Sequence, residues 1–179
     1  ANLEAIRAAV PGQYDTISME TTYYDTPGHD LSARKWTLRR RLENGVSVCT
    51  LKTAGNGNLR GEWEVNSDSV TDAISELCKL GCPEELAQLC EEGLIPICGA
   101  RFTRRAGTFT LRDCVLELAL DEGVLIGRGK ELPFAEVEVE LKEGQDEAAR
   151  AFAKALAEEF ALTGEPESKF ARAMTLAMT

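Results

Sequence analysis

Lys35-Trp36-Thr37-Leu38-Arg39-Arg40-Arg41-Leu42-Glu43-Asn44-Gly45-Val46-Ser47-Val48-Cys49-Thr50-Leu51-Lys52-Thr53 decides the fold. Two strand-like runs, Lys35–Leu42 and Val46–Thr53, flank Asn44-Gly45, the dipeptide that best fits a two-residue hairpin because both of its residues tolerate positive φ. Side chains alternate across a strand. Arg39 and Arg41 therefore share one face, and Trp36, Leu38, Arg40 and Leu42 share the other.

The same alternation runs outward in both directions. Met19–Tyr24 reads as a strand, closed by the turn Asp25-Thr26-Pro27-Gly28. Arg60–Asn66 reads as a third hairpin-connected strand after a longer loop over 54–58, with Glu62 and Glu64 opposite Trp63 and Val65. After Pro96, strands are expected over Cys98–Arg105, Phe109–Asp121, Val124–Arg128 and Pro133–Lys142, with turns at Gly107 and Glu122-Gly123. Glu117 and Asp121 share a face, as do Glu136, Glu138, Glu140 and Lys142. Helices are expected over Asn2–Val10, from Val70 to the stop at Gly81, after Pro83, around Phe152, Leu156 and Phe160, and over Ser168–Met178. Strands, helices, strands, helices in that order, with sequential hairpins, give an antiparallel α+β fold.

The bulk numbers bound the function. A chain of 179 residues with 44% hydrophobic residues fits one domain with a real core. A net charge of −10 disfavours non-specific nucleic-acid binding, which depends on phosphate neutralisation by Lys and Arg. No apolar run reaches the length of a membrane span, and no leader pattern opens the chain, so a cytoplasmic protein is expected. Six cysteines form no CxxC, and His29 is the single histidine, so zinc ligand sets do not assemble and the thiols read as reduced and buried.

Alternating charges are ordinary on a half-exposed sheet, where they face water. Here they are sorted by type, with paired arginines on one strand and paired carboxylates on three others. If the apolar face packs under the helices, the charged face either meets solvent or curls into a barrel lumen. A lumen with Arg forks and carboxylates suits a polyphosphate and its divalent metal.

Taken in order, these segments resemble the CYTH superfamily of triphosphate tunnel enzymes, which includes class IV adenylate cyclases, thiamine triphosphatases and inorganic triphosphatases. The resemblance rests on Tyr23-Tyr24-Asp25-Thr26-Pro27, Leu38-Arg39-Arg40-Arg41, Thr50-Leu51-Lys52 and Glu62-Trp63-Glu64 in the first half. Phe102-Thr103-Arg104, Glu117-Leu118-Ala119-Leu120-Asp121-Glu122-Gly123, Glu136-Val137-Glu138 and Ser168-Lys169 continue it in the second. It covers nearly the whole chain and is nearest the bacterial inorganic triphosphatase branch. It implies an eight-stranded closed antiparallel β-barrel with helices outside.

The resemblance also implies roles. Arg39, Arg41, Lys52, Arg104 and Lys169 are the expected triphosphate-binding cations. Glu62, Glu64, Asp121, Glu136 and Glu138 are the expected ligands of Mg²⁺ or Mn²⁺. Lys52, Glu62, Glu64 and Glu117 are the expected catalytic groups. Glu140 shares the acidic face towards its mouth, Lys130 is a weaker cation candidate in a Gly-rich loop, and His29 is a surface residue. The expected reaction is hydrolysis of a triphosphate, with inorganic tripolyphosphate preferred. The rivals are cyclic AMP synthesis from ATP, non-catalytic polyphosphate or nucleotide binding, and a purely structural sheet. A homodimer is the one oligomer considered.

One departure stands out. The family's Glu-x-Glu-x-Lys of the first strand has no match in Ala1–Val10, and Glu138-Val139-Glu140-Leu141-Lys142 fits the pattern only within the late acidic strand. In the family a helix such as Asn2–Val10 comes directly after that first strand, so the domain is expected to lack the strand, upstream of Ala1.

Overall fold

The computed structural model describes residues 2–54 and 61–179. Seven strands form one antiparallel sheet. They are β1 (Asp15–Asp25), β2 (Thr37–Glu43), β3 (Val46–Thr53), β4 (Gly61–Asn66), β5 (Ile95–Thr110), β6 (Cys114–Gly127) and β7 (Lys130–Gly144), paired in the order β4-β3-β2-β1-β5-β6-β7. The helices are α1 (Leu3–Ala9), α2 (Asp30–Ala33), α3 (Val70–Lys79), α4 (Glu85–Leu89), α5 (Asp146–Glu159) and α6 (Lys169–Met178).

The α+β class and the antiparallel pairing match expectation; strand number and closure do not. Eight strands in a closed barrel were expected. Among the described residues there are seven, and β4 and β7 are edges that do not pair with each other. The expected loop over 54–58, beyond Ala54, and Arg60 at the head of its strand lie outside the described residues.

The strand count fails for a local reason. Gly107 and Glu122-Gly123 are not turns; they lie inside β5 and β6. A Cβ on Gly123 would come within 2.1 Å of the Arg101 carbonyl oxygen, and one on Gly107 within 3.0 Å of that of Gln13. These glycines permit close backbone approach rather than reversal. The real reversals are at residues 111–113, where the Leu111 amide donates to the Cys114 carbonyl (2.8 Å), and at Arg128-Gly129, both at positive φ. At Asn44-Gly45 the expected hairpin forms, with φ of 50° and 84° and Glu43 opposite Val46. Its tip is held to β1 by the Ser18 amide, which donates to Asn44 Oδ1 at 2.7 Å.

The apolar sheet face divides between two helical layers. Leu38, Cys49 and Leu51 pack under α2, α3 and α4 against Leu31, Ala73, Leu77 and Leu86. Leu118 and Leu120 of β6 pack against Leu3 and Ile6 of α1 and Leu156 of α5. The sixth helix does something else. Phe170, Ala173 and Met174 of α6 lie on the opposite, charge-bearing face, against Met19, Tyr23, Ala100, Phe102, Leu125 and Phe134. That face therefore has an apolar floor with charges around it, held in place by a helix.

Candidate functional site

The register sets the positions of the charged side chains. Lys52 pairs with Glu62 and Thr50 with Glu64 across β3 and β4. Arg39 lies between Thr50 and Tyr23, and Arg41 between Val48 and Thr21. On the other side of β1, Arg104 opposes Asp121, which opposes Glu136, while Ala119 opposes Glu138 and Glu117 opposes Glu140. The sheet curls around this face: Lys52 on β3 is within the field of Glu138 on β7, although five strand pairings separate them. Arg41, from β2, and Arg104, from β5, both lie 5.7 Å from the Phe102 ring centroid, and Lys169 Nζ is 5.1 Å from it.

The two halves of the face differ in charge balance. On the β5–β7 side every buried charge is paired. Arg104 donates Nε to Asp121 Oδ1 and Nη2 to Oδ2, both at 2.8 Å, and also reaches Glu138 at 3.3 Å. Lys169 Nζ lies 2.8 Å from Asp121 Oδ2, 2.7 Å from Glu138 Oε1, and in contact with Glu136. Arg172, one helical turn on, contacts Glu136. Burial alone would raise Asp121, but the Arg104 hydrogen bonds and the Lys169 charge outweigh it and hold the carboxyl below its ordinary value. Burial would lower Lys169, and its carboxylates outweigh that too, raising it. The hydrogen bonds to Asp121 likewise raise Arg104.

On the β2–β3 side the cations lack such partners. Among the described residues, Arg39, Arg41 and Lys52 make no ion pair within 4.0 Å. Arg41 is buried and donates Nε to Thr21 Oγ1 at 2.8 Å. Burial first, and then the neighbouring Arg39, push Arg41 down to about 10. The same two causes lower Lys52. Arg39 Nε is buried with no acceptor. A buried donor without a partner is rare in native proteins, and Arg39 Nε, set beside the un-ion-paired Arg41 and Lys52, makes a site for an anion.

Of the expected acidic set, Asp121, Glu136 and Glu138 come together, with ligand oxygens all within 4.8 Å of one another. Glu62 and Glu64 are on β4, at the other edge, next to Lys52 and Thr50; the Thr50 hydroxyl donates to Glu64 at 3.3 Å. Glu117 is half-buried beside Arg104's carboxylate cluster and within its field. Glu140 pairs with exposed Lys142 at 3.3 Å. Lys130 is exposed at the β6–β7 reversal. A cavity of about 890 Å³ opens beside the cluster, bounded by Glu136, Glu138, Lys169 and Arg172 and by the segment joining α5 to α6; a second, of about 650 Å³, touches none of these charges.

A family model described as the CYTH domain matches residues 4–174. The chain belongs to the CYTH family. A curated relative, the inorganic triphosphatase of Haemophilus influenzae, is 31% identical over 134 residues, which is 74% of this chain and 38% of that protein. The CYTH chain thus spans well under half the length of that relative. Among solved structures, a protein from Hippeastrum proposed as an adenylyl cyclase and described as having a dominant triphosphatase activity superposes with a TM-score of 0.66. It is 17% identical, covering 97% of this chain and 88% of its own. A protein from Pyrococcus horikoshii gives 0.59 at 22% identity, covering 99% and 93%. At these identities the two structures show a shared CYTH fold.

Three features on or near this face were not legible as such in the sequence. Arg172 is at i+3 from Lys169 and so shares its helix face, a signal the helix pattern contained. Phe102 and Phe134 form an aromatic floor, ring centroids 5.7 Å apart, to which the sequence pattern assigned no role. Asp25, in the Tyr-Tyr-Asp-Thr-Pro stretch, is fully buried and accepts from the amides of Thr26, Leu31 and Ser32 and from the Ser32 hydroxyl, so it anchors α2 rather than facing the cavity. His29, at φ 58°, precedes that helix with its side chain largely exposed, as expected. Five of the six free cysteines are buried, also as expected. No described helix is long and apolar enough to cross a membrane.

Proposed function

We propose that this CYTH chain binds a small-molecule triphosphate on the Arg39, Arg41 and Lys52 side of its inner face and hydrolyses the terminal phosphoanhydride, with inorganic tripolyphosphate preferred. The observation that carries this reading is the buried Nε of Arg39, which has no acceptor, beside Arg41 and Lys52, both lowered by burial and by the Arg39 charge. A polyphosphate supplies the missing acceptors and charge, and Arg forks match phosphate oxygens two at a time. Arg104 and Lys169, which lie with Arg41 around the Phe102 ring, would complete the cation set.

Phosphoryl transfer depends on positioning and charge neutralisation more than on covalent catalysis by the protein. Arg39 and Arg41 would hold the chain of phosphates, and Lys52 would neutralise charge on the phosphoryl group being transferred. Glu62 or Glu64 beside Lys52, or Glu117 on the far wall, would accept a proton from the attacking water. Asp121, Glu136 and Glu138 offer hard oxygen donors of the kind Mg²⁺ or Mn²⁺ requires, with Glu62 and Glu64 a second acidic pair on the opposite edge strand. When bound, such an ion offsets negative charge on phosphate oxygens.

The test is to present tripolyphosphate, thiamine triphosphate and ATP separately with Mg²⁺ or Mn²⁺, measuring phosphate release and cyclic AMP. Phosphate from tripolyphosphate, lost in Arg39→Ala and Lys52→Ala, is the expected result. Cyclic AMP as the main ATP product would replace hydrolysis with cyclisation. Tight binding with no product under any condition would leave a binding module.

A further inference from the structure

Lys169 is the first residue of α6, a helix capped by Ser168, whose hydroxyl accepts from the Ala171 amide at 3.1 Å. Its side chain is 8% exposed and enters the inner face from the side opposite the sheet. Three carboxylates converge on its ammonium: Asp121 at 2.8 Å, Glu138 at 2.7 Å, and Glu136 in contact. These are the same three residues whose oxygens cluster within 4.8 Å. The donor chemistry of that cluster fits a hard divalent cation, but its centre already holds a cation that belongs to the chain.

The two cations exclude each other. Mg²⁺ binds carboxylate oxygens at about 2.1 Å in near-octahedral geometry, so it needs the space the ammonium fills. Their like charges, a divalent ion and an ammonium a few ångströms apart in a partly screened site, would repel strongly. Arg104 bonds both oxygens of Asp121 and Oε2 of Glu138, and Arg172 bonds Oε2 of Glu136; Lys169 alone contacts all three carboxylates, so its ammonium is the cation at their meeting point. The helix itself is held by Phe170, Ala173 and Met174 in the apolar cluster, so the lysine side chain is free to leave while α6 stays docked.

We infer that Lys169 is a built-in competitor for the divalent cation at Asp121, Glu136 and Glu138, and that metal entry requires its ammonium to withdraw from the three carboxylates. This rests on the reading of those carboxylates as the metal side of the triphosphate site. It assigns Lys169 a role in setting metal affinity, separate from any contact with phosphate. A withdrawn ammonium would also become available to the anion that arrives with the metal, coupling the two ligands through one side chain.

The experiment measures Mn²⁺ binding to the full chain by electron paramagnetic resonance, with no triphosphate present. Lys169→Met is expected to bind Mn²⁺ tighter than wild type by on the order of tenfold or more, as expected for removing one adjacent positive charge. Lys169→Arg, which keeps the charge, is expected to show no such gain. Equal or weaker Mn²⁺ binding by Lys169→Met overturns the inference, as does a failure of both wild type and variant to bind Mn²⁺. Neither result touches the triphosphate reading, which is judged by tripolyphosphate binding at Arg39, Arg41 and Lys52. If circular dichroism shows Lys169→Met unfolded, the wild type decides by ¹H–¹⁵N resonances of lysine ammonium groups. Loss or displacement of the buried Lys169 signal on Mg²⁺ titration supports the competition, and an unchanged signal rejects it.

Discussion

Arg104 holds Asp121 through two parallel hydrogen bonds, Nε to Oδ1 and Nη2 to Oδ2, each 2.8 Å long, between neighbouring strands β5 and β6. Asp121 is fully buried. Removing Arg104 therefore leaves a carboxylate with only Lys169 to offset it. Arg104→Ala is expected to destabilise the fold by about 3 kcal/mol, the scale for breaking a buried pair. Arg104→Lys keeps the charge but loses the fork and is expected to lose about 1–2 kcal/mol. Urea unfolding followed by circular dichroism reads both. If Arg104→Ala unfolds at the wild-type urea midpoint, the pair is not holding the sheet.

That pair was half visible in the sequence. Alternation alone put Asp121 on the charged face, and the resemblance assigned Arg104 to phosphate and Asp121 to metal. Nothing in the pattern said the two would neutralise each other, because partner choice depends on strand register, which is set by turns. The turns were legible where positive φ makes them, at Asn44-Gly45. They were misplaced at Gly107 and Gly123, where glycine permits close backbone approach instead, to Gln13 before β1 and to Arg101 of β5. One dipeptide therefore fixed β2 against β3 correctly, while two isolated glycines divided the two strands β5 and β6 into three. The docking of α6 inside the curl was also illegible. An amphipathic helix declares that one side is apolar, not which face of a sheet receives it.

Arg39 separates stability from function. Its Nε is buried without an acceptor, an arrangement that costs about 1–3 kcal/mol for an ordinary buried polar group. Arg39→Met fills similar space without that cost. Its expected effect on the unliganded protein is a gain of about 1 kcal/mol, together with a loss of tripolyphosphate affinity of roughly tenfold or more. Thermal unfolding and calorimetric titration measure the two effects on the same preparation. A variant that is both less stable and equally tight in binding would show that Arg39 is a structural residue.

The same crowding sets an alkaline limit on anion binding. Arg41 is pushed down to about 10 by burial and by Arg39, and Lys52 is lowered from its ordinary value by the same causes. A bound polyanion favours the charged forms and raises both values, so binding takes up protons where the free groups have begun to lose them. Affinity is then expected to be level near neutral pH and to fall as pH rises through about 10, well before an ordinary arginine titrates. Calorimetry with tripolyphosphate in buffers of different ionisation heat would detect the proton uptake directly. Affinity that stays level until about pH 11 would contradict the lowered Arg41.

Asp25 belongs to the stretch that first marked the family, yet its bonds are internal. Its Oδ1 accepts from the Thr26 amide at 2.8 Å and the Leu31 amide at 2.9 Å; its Oδ2 accepts from the Ser32 amide at 3.1 Å and the Ser32 hydroxyl at 2.5 Å. It closes the turn after β1 and satisfies amides in the short α2, which has no side-chain cap of its own. Leu31, carried by α2, is buried against Leu38 and Leu51 on the outer sheet face. Asp25→Ala strands several buried donors at once and is expected to cost about 2–3 kcal/mol. Because Asp25 points away from Arg39, Arg41 and Lys52, tripolyphosphate affinity measured well below the melting temperature is expected to stay at the wild-type value. Asp25→Asn keeps acceptor oxygen at one position only and is expected to fall between the two. Loss of affinity in a folded Asp25→Ala protein would move this residue from the scaffold to the site.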